Sequence, residues 1–143
     1  MIEIPGGFNR SARTSPYLDH VGPIFERGEG DDYCIGLRVD HRHVNRRGHC
    51  HGGFLALLAD IGLGRVIAPG SRPQDFVTVS LTLNYLAPAK LGQWLEVSAT
   101  IDRLGGRIGH ATGLVTADGE PVLRASGVFQ RLIPAVGEEA ESQ

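Results

Sequence analysis

The sequence predicts a single α+β domain in which an antiparallel sheet curls around one central helix. Three observations carry that prediction. Only one long stretch reads as helix, and it is apolar almost all round, so something must enclose it. Four long segments after it show the two-residue alternation of strands. Hairpin turns join most of those segments, which makes the sheet antiparallel.

Taken in order, residues 1–30 are rich in Gly, Pro and charge and read as an N-terminal extension. They hold one short helix starting at Ser15-Pro16, where Ser can cap and Pro fits the first turn. The first strand is Tyr33 to Val39, in which Tyr33, Ile35, Leu37 and Val39 alternate with Cys34, Gly36 and Arg38. A polar loop from His41 to Cys50 follows. The helix then runs from Gly52 to Ala68, without an internal proline, and stops at Pro69-Gly70. Phe54, Leu55, Leu57, Leu58, Ile61, Leu63, Val66 and Ile67 leave it no wide polar face.

The next strand has Val77, Val79, Leu81, Leu83 and Tyr85 against Thr78, Ser80, Thr82 and Asn84. Pro88 and Gly92 mark a turn, and Leu95, Val97, Ala99 and Ile101 form one face of a further strand. Gly105-Gly106 and Asp118-Gly119 are hairpin signals on either side of a strand over about Arg107 to Thr116. A last strand covers about Val122 to Leu132, and the acidic tail from Pro134 reads as disordered. The four strands are expected to form a meander. Neither a repeat nor a linker divides the chain, so residues 1–143 read as one domain.

The 14 basic and 16 acidic residues leave a net charge of −2. Without a clustered basic excess, nucleic acid is not the expected partner. No apolar run is long enough to span a bilayer, and the N-terminus lacks a secretory signal, so the expectation is a cytoplasmic protein. Cys34 and Cys50 do not make a disulfide framework and read as small core residues.

Two features suggest chemistry. Asp60 is the only acidic residue between Asp40 and Asp75, midway along the apolar helix, where an unpaired carboxylate costs several kcal/mol. His51-Gly52-Gly53 opens the same helix, and bare glycines there let a ligand atom approach amides that lack helical partners. With the helix dipole, such amides stabilise an oxyanion. His41, His43, His49, Cys50 and His51 do not have the spacing of a closed zinc site, so no metal is expected. Gly62 and Gly64 each cost about 1 kcal/mol in a helix interior, which suggests that they make space. Gly64 shares a face with Asp60, where the gap could take part of a substrate.

The stretch Asn45-Arg46-Arg47-Gly48-His49-Cys50-His51-Gly52-Gly53, then Asp60, then Val77-Thr78-Val79 and Tyr85-Leu86-Ala87-Pro88-Ala89-Lys90-Leu91-Gly92, resembles the hotdog-fold thioesterases of the phenylacetate-pathway, PaaI-like type. The likeness runs from about residue 33 to residue 132. It implies hydrolysis of an acyl-CoA, with an aryl or short to medium acyl group, and no cofactor beyond the CoA of the substrate. By resemblance Asp60 is the catalytic nucleophile or general base, and the Gly52 amide polarises the thioester carbonyl. Asn45 and Thr78 help position water or the thioester, and His51 supports the helix start. Where some relatives carry a hydroxyl one helical turn after the carboxylate, this chain has Gly64, which puts more demand on Thr78. Gly53 and Gly64 are expected beside the substrate. Among the basic residues Arg46, Arg47, Lys90, Arg103 and Arg107, Lys90 and Arg107 are the expected contacts for the CoA phosphates. The resemblance also implies a homodimer with shared active sites, paired into a homotetramer. The alternative is a hotdog module that binds acyl-CoA without cleaving it. A hotdog hydratase would need an Asp-x-Asn-Pro-x-His stretch, which is not present.

Overall fold

In a computed structural model, residues 1–69 and 76–132 are described. The acidic tail predicted to be disordered lies outside them, as does Gly70 of the predicted helix stop. The chain order is β1 (Asn9–Arg10), α1 (Pro16–Val21), β2 (Phe25–Arg27), β3 (Cys34–Arg38), α2 (Gly52–Ile67), β4 (Phe76–Tyr85), β5 (Trp94–Leu104), β6 (Ile108–Ala117) and β7 (Glu120–Arg131). All seven strands form one antiparallel sheet in the order β1-β2-β3-β5-β6-β7-β4. That sheet curls around α2, the arrangement that the hotdog resemblance implies.

Local chemistry accounts for the ends of the elements. The Leu18 amide donates to the Ser15 hydroxyl (3.2 Å), and Pro16 occupies the first turn of α1. At α2 the cap is His51, whose Nδ1 accepts from the Gly53 amide at 2.9 Å. Asp118 and Gly119 take positive φ (47° and 88°), the two-residue turn that joins β6 to β7.

The core lies between α2 and the inner sheet face. Leu55, Leu58 and Leu63 of the helix meet Ile35, Leu37, Leu95, Val97, Val115 and Leu123. Helix and sheet approach closely at Gly62, where an added Cβ would lie 2.5 Å from Val97 Cγ1. The backbone comes near because the side chain is missing. Cys34 and Cys50 are buried thiols, and burial pushes the Cys50 thiol up to about 12.

Four expectations are revised. Before residue 30 the structure has two strands besides the short helix: β1 and β2 extend the sheet, and Phe8 and Phe25 pack with Cys34 and Trp94. The last four strands do not form one meander, because β4 pairs with β7 at the sheet edge and β5 pairs with β3. Helix α2 is not enclosed on all sides. Its face bearing Leu57, Asp60, Ile61 and Gly64 is only part-buried within one chain.

The fourth revision concerns β4. Its pairing with β7 slips between Thr78 and Ser80, so Val79 is the extra residue of a β-bulge. The slip reverses the alternation. Thr78 falls on the same side as Phe76, Leu81 and Leu83, which pack against the core, and Val77 and Val79 are 44% and 56% exposed. Among the described residues, no helix is long and apolar enough to cross a membrane.

Candidate active site

Asp60 and Thr78 meet. The Thr78 hydroxyl donates to Asp60 Oδ1 at 2.6 Å, joining the middle of α2 to the start of β4. The bulge makes this contact, since uninterrupted alternation would turn Thr78 away from the helix. The carboxylate is half-buried, so the full burial cost expected from the sequence does not apply within one chain. It borders a cleft of about 300 Å³ whose lining includes Gly64, Phe76, Phe129 and Leu18. A Cβ added at Gly64 would meet only Phe129 Cε1, at 3.6 Å, so this glycine leaves cleft space open.

The start of α2 forms a second locus. The Gly53 amide is taken by His51 Nδ1, whereas the Gly52 amide has no acceptor among the described residues. The expectation that both amides face a ligand is therefore corrected to Gly52 alone. His51 acts as a helix cap. The glycines also have packing reasons: a Cβ on Gly52 would lie 3.2 Å from the Tyr85 ring, and one on Gly53 3.0 Å from His51 Nδ1. Tyr85 was not singled out in the sequence, although it stands inside the stretch that carries the resemblance. Its hydroxyl donates to the Gly52 carbonyl at 2.6 Å and ties the end of β4 to the first turn of α2.

Asn45 closes the loop before α2. Its Oδ1 accepts from the Arg47 amide (2.9 Å) and the His49 amide (3.2 Å), leaving its NH₂ as the donor pair without an acceptor among the described residues. Lys90 is exposed beside this loop, where it bridges His49. Arg107 is exposed at the other end of the helix, in the β5–β6 turn; its carbonyl accepts from the Arg131 amide at 2.7 Å, and Arg131 is paired with Phe76. One chain therefore does not bring Lys90 and Arg107 together. Nor does it join the Gly52 and Asp60 loci, because eight residues of helix separate them by roughly 12 Å along the axis.

The histidines are partly accounted for. His43 is buried, accepts from the Asp40 amide through Nδ1 (2.9 Å), contacts the Val21 carbonyl through Nε2 (2.6 Å) and stacks on Phe54. Both of its ring nitrogens are used within the fold.

Arg65 is a functional candidate that the sequence did not flag. On the apolar helix it is 6% exposed, and its guanidinium contacts Ser11 Oγ (3.0 Å), Glu26 Oε2 (3.3 Å), Tyr33 Oη (3.4 Å) and the Arg13 carbonyl (2.9 Å). A lone cation in a buried stretch needs such partners, and that is the signal that could have found it.

The chain is similar to known proteins across this region. The family profile of the thioesterase superfamily matches residues 47–123. A presumed esterase of Pseudomonas aeruginosa is 41% identical over 131 residues, covering 90% of this chain and 98% of that protein. Among solved structures, a Bacillus halodurans protein with CoA has a TM-score of 0.74 and 27% identity over 86% of this chain and 83% of that one. A variant of the phenylacetic acid degradation protein PaaI of Thermus thermophilus has a TM-score of 0.69 and 25% identity, covering 82% of this chain and all of that one (100%). A helix wrapped by a curled antiparallel sheet, with the profile match spanning the helix, its preceding glycines and Asp60, shows that this chain belongs to the hotdog-fold thioesterase superfamily.

Proposed function

We propose that this protein hydrolyses an acyl-CoA thioester, with Asp60 attacking the acyl carbon or activating the water that does. The observation that carries the reading is the 2.6 Å Thr78–Asp60 hydrogen bond at the edge of an open cleft. A bonded hydroxyl fixes the carboxylate toward one direction, which catalysis by position requires. Water adds across the C–S bond: its oxygen goes to the acyl carbon, and the sulfur leaves as a thiol after taking a proton. The Gly52 amide is the oxyanion donor, and the free NH₂ of Asn45 orients water or the thioester. The relative solved with CoA supports the carrier.

A single chain cannot complete this site. An oxyanion donor must lie about 3 Å from the oxygen and the attacking group about 3 to 3.5 Å from the carbon, far closer than roughly 12 Å of helix allows. The reading therefore includes a two-fold dimer with antiparallel α2 helices, so that Gly52 of one copy approaches Asp60 of the other. The part-buried Asp60 face of α2 and the unpaired outer edge of β4 support this arrangement. The same packing carries the Arg107 end of one copy toward the Lys90 end of the other, where CoA phosphates would meet both. Pairing into a dimer of dimers remains part of the proposal, by family resemblance.

The test is Asp60→Asn, assayed by thiol release from aryl, short and medium acyl-CoAs. Turnover should fall about 10² to 10⁴-fold with folding retained. Near-normal turnover in the variant would sink the assignment. A wild-type protein that binds acyl-CoA without releasing thiol would identify a non-catalytic module.

A further inference from the structure

The charged lining of the Asp60 cleft is unequal. It holds one carboxylate, Asp60, against two guanidiniums, Arg13 and Arg65. The two cations also line a neighbouring cavity of about 610 Å³, so they stand between the two spaces. Five residues of α2 separate Asp60 from Arg65, roughly 8 Å along the axis, a span that a short acyl chain covers.

The cations are not equivalent. Arg65 is satisfied by Ser11, Glu26, Tyr33 and the Arg13 carbonyl. The Arg13 guanidinium has one long bond, from Nη2 to the Ala68 carbonyl at 3.4 Å, and no carboxylate within ion-pair distance among the described residues. Burial first and the Arg65 charge second lower its pKa from the ordinary value. A half-buried cation beside another cation, with most donors unused, is a site for an anion. Phe129, Leu18 and Gly64 supply apolar or empty surface along the way from Asp60.

We propose that the cleft selects acyl groups with a carboxylate at their far end, half-thioesters of short dicarboxylic acids, and that Arg13 receives that carboxylate. This rests on the thioesterase reading of Asp60. The thioester lies at Asp60, the methylenes run past Gly64 and Phe129, and the distal carboxylate replaces the water on Arg13. A guanidinium suits this role because its fork can bind both carboxylate oxygens.

The experiment compares kcat/KM for succinyl-, glutaryl- and adipoyl-CoA with butyryl-, valeryl- and hexanoyl-CoA of matching length. At the best length the acidic substrate should exceed its neutral partner by about 10- to 100-fold, the range of a hydrogen-bonded charge pair. Arg13→Gln should collapse that ratio, and Arg13→Lys should restore part of it. The ratio is internal to each variant, so a general loss of folded protein does not move it. A ratio at or below one at every length overturns the proposal, as does a ratio unchanged in Arg13→Gln. Hydrolysis of neutral acyl-CoAs alone removes this inference and leaves the role of Asp60 standing. Absence of hydrolysis with every substrate, from wild-type protein of native thermal stability, removes both.

Discussion

Replacing Thr78 by valine removes one donor while keeping the shape of the side chain, and so isolates the hydrogen bond to Asp60. At 2.6 Å it is in the short range of hydroxyl–carboxylate bonds. Bonds to charged groups contribute about 1.5 to 3 kcal/mol, and the low end applies because Asp60 is only half-buried. A loss of about 1.4 kcal/mol in the transition state is a tenfold fall in rate. Thr78→Val should therefore reduce kcat by about 10-fold, with KM little changed, because the bond positions the attacking group and does not bind CoA. Thr78→Ser keeps the donor and should stay within about threefold of wild type by the same arithmetic. Steady-state thiol release gives both constants, and thermal melting confirms that the variants fold. A valine variant within twofold of wild type, or a serine variant as impaired as valine, would refute the positioning role.

Two further outcomes follow from the same geometry. If the sites are shared, Asp60→Asn and Gly52→Pro subunits are each inactive, yet a mixed dimer regains about half the wild-type activity, since one of its two sites is intact. Proline is tolerated in the first turn of a helix, although the nearby Tyr85 ring must yield; a folded, inactive mixed dimer would show that each chain builds its own site. Arg65→Met leaves the Glu26 carboxylate without its guanidinium and should destabilise the fold by about 3 kcal/mol. For a chain of this size that lowers Tm by roughly 10 °C, whereas a shift under about 2 °C in calorimetry would mean that the network contributes little.

The sequence by itself determined what depends on near neighbours along the chain. Helix α2 was legible from its apolar run and lack of proline, β5 to β7 from alternation and hairpin turns, and Asp60 from being the lone acid in an apolar stretch. His51 as a cap and Gly62 as a spacer were legible for the same reason: their chemistry is local. Which strands pair, and in what register, was decided only in three dimensions. β4 follows α2 in the chain but lies beside β7, because the sheet must close around the helix, and the extra residue Val79 then turns Thr78 inward to Asp60. Period-two alternation cannot reveal that reversal, since a bulge depends on the partner strand as well as on the strand's own residues. Arg65 and Arg13 were illegible for a related reason. Their partners lie some 40 to 55 positions away in the sequence, and only the folded chain brings those groups within hydrogen-bond distance.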